Sequence, residues 1–297
     1  YQTLLNRQPN NISAMIGLNR AYRGLNRNAE AIKVLQSAAS ALVSQEPKPG
    51  LLLASELQQY LQNEQALQLL ETLHHNTPDD HDVTLKLAFA YYNQQQFDKA
   101  EALYTALLAT QKEDAKMYRD YAILLANPLY IKRDLAKAEH YFLKALQRES
   151  GDVGIMERLG SLMMEQERYR HAIYVYSNLL TGVPDSAGAR LALANAYARS
   201  GDTENARRQQ EIAKPLAERD QQEERLKTMV SRQLANEEAQ LNLVHHYLQN
   251  GQYTRAYQQL QIALAHCRDK GNVVRELKSL LDKMGLPLPK TYQVNLP

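Results

Sequence analysis

An alanine that opens an apolar helical run recurs as Ala31, Ala66, Ala100, Ala138, Ala172, Ala206 and Ala256, at separations of 35, 34, 38, 34, 34 and 50 residues. A period near 34 marks a stacked helix–turn–helix repeat, in which no hairpin can bury its apolar face alone and each must pack on its neighbours. Columns that were not used to set this register then fall into place. Nine residues before the anchor stand Tyr22, Leu57, Tyr91, Met163, Tyr197 and Tyr247, all large, with the residue displaced to Leu125 in the unit anchored on Ala138. Three residues further upstream stand Asn19, Ala54, Ala88, Ala122, Gly160, Ala194 and Val244, mostly small, where one helix can approach another. Four residues after the anchor come Leu35, Leu70, Tyr104, Phe142, Tyr176, Gln210 and Leu260, bulky except for Gln210. Pro9, Pro78 and Pro184 close units and are each followed by a polar pair, because proline cannot continue a helix but can stand at the start of the next.

Composition narrows the function classes. The 297 residues are 44% hydrophobic and 23% charged, which suits a folded chain rather than a disordered one. Thirty-five basic against 33 acidic side chains leave a formal charge of +2, too little to attract a polyanion, so no nucleic-acid partner is expected. The longest apolar runs, such as Leu51 to Ala54 and Leu191 to Ala194, fall far short of the roughly 20 residues that cross a bilayer, so no transmembrane segment is expected. The single cysteine, Cys267, allows neither an intrachain disulfide nor a cysteine metal knuckle.

Motifs that carry chemistry are missing. No Gly-x-x-x-x-Gly-Lys, Gly-x-Gly-x-x-Gly, His-Glu-x-x-His or Gly-x-Ser-x-Gly occurs. The pairs His74-His75 and His245-His246 are adjacent on helices, where neighbours point about 100° apart, so neither pair chelates a metal by itself. The expectation is therefore a protein that is not an enzyme, with no catalytic residue, no metal and no cofactor. The run Glu223-Glu224 with its basic neighbours reads as a solvated helix face.

These columns resemble the tetratricopeptide pattern, most clearly in Leu87-Ala88-x-x-Tyr91 with Ala100-x-x-x-Tyr104, and in Leu159-Gly160-x-x-Met163 with Ala172-x-x-x-Tyr176 and Pro184. The likeness covers about residues 1 to 270. The usual tryptophan of the first helix is replaced by Met15, Thr84, Tyr118 and Met156. The resemblance implies an all-α, right-handed superhelical solenoid of antiparallel helix pairs. In this register residues 1–11 are a second-helix remnant, repeats occupy 12–46, 47–80, 81–114, 115–152, 153–186, 187–220 and 237–270, and 221–236 is a helical extension. A capping helix follows at 271–284 and a tail at 285–297. The insertion at 127–134, similar to the long inter-helix loops of Sel-like relatives, reads as a tolerated surface loop. Pro215 is expected to kink or restart its helix.

The resemblance also implies a concave groove lined by the first helix of each pair. Its candidates are Arg20, Arg23, Lys86, Phe89, Tyr92, Asn93, Arg119, Ile123, Arg158, Ser161, Met164, Asn195 and Arg199. Phe89 and Tyr92 lead the set, because Leu87, Ala88 and Tyr91 already fill the core positions of their helix; the competing reading packs Tyr92 on the adjacent second helix. Aromatics flanked by cations suit a partner peptide or helix with apolar side chains and some negative charge. The basic clamp of chaperone-tail binders is not met, since its positions read Ile16, Arg20, Leu52, Asp82 and Lys86.

The function expected is a scaffold for protein–protein interaction that assembles a larger complex, with a homodimer as another use of exposed aromatics. The alternative is a non-catalytic repeat segment of a bacterial envelope or polysaccharide secretion machine, an idea that rests on the chain opening in mid-repeat. Compartment stays open between the bacterial cell envelope or periplasm, towards which the Gln and Tyr content leans, and the cytoplasm. One prediction follows from the register alone. Ala172→Arg should cost roughly 3 kcal/mol by overpacking and burying charge, whereas Glu167→Ala should stay within about 0.5 kcal/mol; thermal unfolding of the two variants checks this, and equal melting temperatures contradict the alignment.

Overall fold

The computed structural model describes residues 1–25, 27–41, 47–110, 112, 114–267 and 270–286. Among the described residues there are sixteen helices and no strand. Ten lie in a first compact unit, Tyr1–Arg168: α1 (Gln2–Arg7), α2 (Ile12–Gly24), α3 (Asn28–Ala41), α4 (Pro47–Gln59), α5 (Asn63–Asn76), α6 (His81–Asn93), α7 (Phe97–Ala109), α8 (Ala115–Ala126), α9 (Leu135–Arg148) and α10 (Val153–Glu165). Six lie in the second, Tyr169–Pro297: α11 (Tyr169–Gly182), α12 (Ala187–Arg199), α13 (Thr203–Arg232), α14 (Glu237–Gln249), α15 (Tyr253–His266) and α16 (Gly271–Lys283). The division falls between α10 and α11, inside the segment 153–186 that the register reads as one repeat. Most of the tail expected at 285–297, and residues 42–46 at the close of the first expected repeat, lie outside the described residues.

The seven anchor alanines are all buried, none more than 5% exposed. The small column is sealed as well, from Ala54 and Ala88 to Ala122, Gly160, Ala194 and Val244. Asn19 occupies a place held elsewhere by Ala or Gly. It is fully buried and donates through Nδ2 to the carbonyl of the anchor Ala31 at 3.1 Å, so the polar exception tightens the contact that the small residues make by shape. Gln210, the polar outlier of the third column, is exposed.

Local chemistry sets the ends of the helices. The second residue of each post-proline polar pair is the N-cap of the next first helix: Asn11 accepts from the amide of Ala14, Asp80 from Val83 and Ser186 from Ala189. The hairpin turn needs a left-handed residue two positions after the first helix. That place holds Gly201 and Gly251 after α12 and α14, at φ of 89° and 68°, but Leu61, Gln95 and Glu167 after α4, α6 and α10.

In the first unit α2 pairs with α3, α4 with α5, α6 with α7 and α8 with α9, and the first helices α2, α4, α6 and α8 adjoin in sequence along one wall. One core runs from Ile12 on α2 through Leu35, Leu57 and Leu70 to Leu87 on α6. In the second unit a core joins Val230 at the end of α13 to α14, α15 and α16.

Two segments differ from the sequence expectation. The insertion between α8 and α9 is a fastened strap rather than a loose loop. Tyr130 is buried with its ring 5.7 Å from that of Phe97, Lys132 Nζ pairs with Asp98 at 2.8 Å and Glu101 at 3.1 Å on α7, and Arg133 meets the carbonyl of Ala126 at 2.9 Å and Glu165 of α10 at 2.5 Å. A stretch read as tolerated surface therefore joins three hairpins.

The second difference is α13, which continues through Pro215 for 30 residues instead of restarting there. What holds its distal half is Glu223, which is buried rather than solvated and takes Lys227 at 2.7 Å and Arg255 of α15 at 3.2 Å. Burial alone would raise this carboxyl, but the Lys227 hydrogen bond and the charges of Lys227 and Arg255 hold it below the usual range. Glu224, its neighbour, stays exposed, as the sequence reading had it.

The strap makes a measurable distinction between adjacent residues. Tyr130→Ala should destabilise by about 3 kcal/mol, as expected for emptying a buried aromatic site, while Ile131→Ser, at a side chain 94% exposed, should be silent within about 0.5 kcal/mol. Urea denaturation of both variants measures the difference, and a silent Tyr130→Ala would return the insertion to the status of a passive loop.

Candidate partner-binding surface

Four of the residues expected to face the groove meet around one hollow in the first unit. Its volume is about 490 Å³, and Tyr92, Ile123, Arg158 and Ser161 stand in its lining. α6 supplies Tyr92, α8 supplies Ile123 and Ala126, and α10 supplies Gly154, Glu157, Arg158, Ser161 and Glu165; the strap contributes Asn127 and Pro128, and Phe142 of α9 contributes to the floor. The spacing 154, 157, 158, 161, 165 on α10 is that of a single helical face, which is why a whole helix side borders the cavity.

Tyr92 is fixed from two directions. Its ring stacks on Phe89 at 6.2 Å and tilts onto Phe97 at 6.0 Å, and Phe97 in turn meets Tyr130, so four rings form a row from the face of α6 to the strap. Its hydroxyl accepts a hydrogen bond of 3.1 Å from Asn127 Nδ2. Tyr92 thus packs on the first residue of the second helix, as the competing reading held, and still borders the hollow. Asn127 also accepts from the amide of Leu129 at 2.9 Å, an Asx turn that ties the strap's shape to the ring's position.

The other candidates lie elsewhere. Arg20 and Arg23 are exposed on α2 and are committed to a carboxylate, with Arg20 2.6 Å and Arg23 3.6 Å from the buried Glu56 of α4. Lys86 is half-buried on α6; burial pulls its ammonium below the ordinary value, helped by the charge of Lys116 and opposed by Asp120. Arg119 donates through Nε to Asp120 at 3.0 Å. Asn93 is exposed at the end of α6, and Met164 is half-buried on α10. In the second unit Asn195 is exposed on α12, and the Arg199 guanidinium lies over the Tyr169 ring at 5.4 Å and donates to its hydroxyl at 2.9 Å.

Asp120 was not among the expected residues, although it stands in the column of Lys86 and Arg158, two before the small residue of each first helix. The column could have found it. Its side chain is sealed, and Oδ2 meets no hydrogen-bond donor among the described residues. Burial raises its carboxyl above the ordinary range despite the opposing charge of Arg119. The hydroxyl of Tyr104, likewise sealed and unpaired, is pushed far above the usual phenol by burial and then by the charge of Asp120. Among the first helices of this unit, then, α8 contains a buried carboxyl that the fold compensates incompletely. Asn127, Pro128, Phe142, Glu157 and Glu165 were also missed; an Asn-Pro pair signals a turn, but nothing local signals which cavity the turn will border.

A tetratricopeptide-repeat family model matches residues 60–122 and 163–232. Among solved structures, a tetratricopeptide repeat protein from Parabacteroides merdae is 14% identical, with 91% of this chain and 98% of that one covered at a TM-score of 0.52. PilF of Pseudomonas aeruginosa is 17% identical over 67% of this chain and 88% of its own, at a TM-score of 0.52. MamA is 14% identical over 56% of this chain and 95% of its own, at 0.51. No curated protein matches the chain. At these identities the structural likeness is one of fold alone. With buried anchors at the repeat period, helix hairpins and the family match together, the class is a helical-repeat scaffold of the kind that binds other proteins. Over residues 60–122 and 163–232 the chain carries tetratricopeptide repeats. Among the described residues no helix is long and apolar enough to cross a membrane, and no group of three or more His, Cys, Asp or Glu side chains is placed to hold a metal.

The buried anion yields a prediction with a definite sign. A carboxyl whose folded-state affinity for protons is raised favours the folded state at low pH, and that contribution is lost as pH rises from the ordinary carboxylate value through the raised one. Asp120→Asn should therefore gain on the parent between pH 4 and pH 7, by on the order of 1 kcal/mol. Melting temperatures across that range test it; an advantage that shrinks towards neutrality would mean that Arg119 more than compensates the charge.

Proposed function

We propose that the hollow bordered by α6, α8 and α10 is where this scaffold receives a segment of its protein partner, and that holding that segment serves the assembly of a larger complex. The observation that carries the reading is the convergence of Tyr92, Ile123, Arg158 and Ser161 on one cavity of about 490 Å³. A side chain entering it meets Tyr92, Ile123, Ala126, Pro128 and Phe142, which form the apolar part of a mixed lining and reward burial at roughly 25 cal/mol per Å². Around the rim Arg158 and Glu157 are exposed on α10, charges that orient a peptide rather than hold it. Tyr92 is already locked by Phe97 and Asn127, so binding costs little ordering of the receptor there. An apolar anchor with a polar rim is the anatomy of an interaction hot spot.

The test is affinity capture with the full chain. A variant combining Phe89→Ala, Tyr92→Ala and Arg158→Glu should recover at least about tenfold less of the partners that the parent chain captures, equivalent to the loss of about 1.4 kcal/mol, while circular dichroism shows unchanged helix content. Undiminished capture by the folded variant rules the hollow out.

A further inference from the structure

We infer that Asn127 sets the specificity of the hollow bordered by α6, α8 and α10: by donating to the Tyr92 hydroxyl it makes that group a fixed hydrogen-bond donor, so the segment received must present an acceptor beside its apolar side chain. The inference rests on the reading above and adds to it the polarity of the group that is recognised.

A carboxamide carries one accepting and one donating end, and the backbone settles which way this one lies. Asn127 Oδ1 accepts from the amide of Leu129 at 2.9 Å; turned over, its NH₂ group would face that N–H donor against donor. Nδ2 is therefore the atom 3.1 Å from the Tyr92 oxygen, and it donates. A phenolic oxygen that accepts keeps its own proton, and among the described residues that proton meets no acceptor. Neighbouring hydroxyls are spent differently. Tyr91, adjacent on α6, donates to Glu71 at 2.7 Å, and Ser161, the other hydroxyl in the lining, donates to the carbonyl of Glu157 at 2.9 Å.

The Tyr92 ring is packed between Phe89 at 6.2 Å and Phe97 at 6.0 Å, so its hydroxyl stays beside the apolar part of the lining. Arg158, exposed on α10 and without an anion among the described residues, adds further donors. The carboxylates of the lining are Glu165, held by Arg133 at 2.5 Å, and Glu157, exposed on α10. An occupant that is apolar throughout covers the Tyr92 proton and leaves it unpaired, whereas a carbonyl or carboxylate pairs it. That difference is what discriminates between segments.

The experiment selects a phage-displayed random peptide library on the full chain and keeps, as ligands of the hollow, the peptides that Ile123→Ala or Arg158→Glu weakens. Tyr92→Phe, which retains the ring, should weaken these about tenfold. Asn127→Asp should weaken them by a similar factor, because a carboxylate takes up the Tyr92 proton while still accepting from Leu129, and should cost far less once Tyr92 is already replaced by Phe. Both variants should melt like the parent; if Asn127→Asp does not fold, Tyr92→Phe decides alone. Alanine scanning of the peptides separates a side-chain carboxylate, lost with its residue, from a main-chain carbonyl, which survives. Ligands of the hollow that ignore Tyr92→Phe, or an Asn127→Asp cost that is equal with and without the Tyr92 hydroxyl, overturn the inference and leave the hollow's role standing. A selection that yields no ligand of the hollow overturns both.

Discussion

Helices can lie against one another at close range only where the side chain between them is small, and in this chain that condition is met once per hairpin by a single methyl group. Ala31, Ala66, Ala100, Ala138, Ala172, Ala206 and Ala256 are all sealed, and the bulky residues one turn later fill the space on either side of the contact. Much else depends on this. Because the anchors seal each hairpin, the first helices α2, α4, α6 and α8 adjoin in sequence along one wall, and α6, α8 and α10 share the lining of one hollow.

Repeat architectures distribute their stability over nearest-neighbour interfaces, which makes a departure from the repeat more consequential than it would be in a single core. The strap at 127–134 and the long α13 are both departures, and each is fastened in the same two ways: one buried side chain, and ion pairs that reach a neighbouring helix. Tyr130 with Lys132 and Arg133 does this in the first unit. Glu223 with Lys227 and Arg255 does it in the second. Ion pairs at exposed sites contribute little, so the force of the argument lies in the sealed member of each set.

Much of the fold was legible because the relevant signal is periodic and local. The alanine column, the large residues nine positions upstream and the polar pairs after proline are properties of the chain as written, and their burial and capping follow from backbone geometry. The site was legible only in part. That Tyr92, Ile123, Arg158 and Ser161 line one hollow follows a pattern the sequence carries, since each lies on a first helix beside core positions that the columns already fill, but Arg20 and Arg23 on α2 are occupied by Glu56, which lies 36 residues from Arg20. Glu223 failed for the same reason: a glutamate in a charged run looks solvated until Arg255 is brought to it. Long-range ion pairs leave no mark on local pattern, and at Pro215 the helix runs on past a residue that locally disfavours it, so the expected restart does not occur.

The distribution of uncompensated charge then separates structural from functional polarity. Glu56 and Glu223 are buried and answered, so their role ends with the fold. Asp120 is buried and answered by one neighbour on its own helix, with Oδ2 unpaired, and it costs stability that a helix interface of this kind has no evident need to give up. Lys86, half-buried at the same wall with its ammonium lowered by burial, is the positive counterpart. A fold selected for stability alone would replace such a pair by apolar side chains of similar volume, a change that is often neutral or stabilising. Their presence on the wall formed by α6 and α8, beside the aromatic row that ends at Tyr130, agrees with a surface shaped for contact with another chain as well as for its own packing.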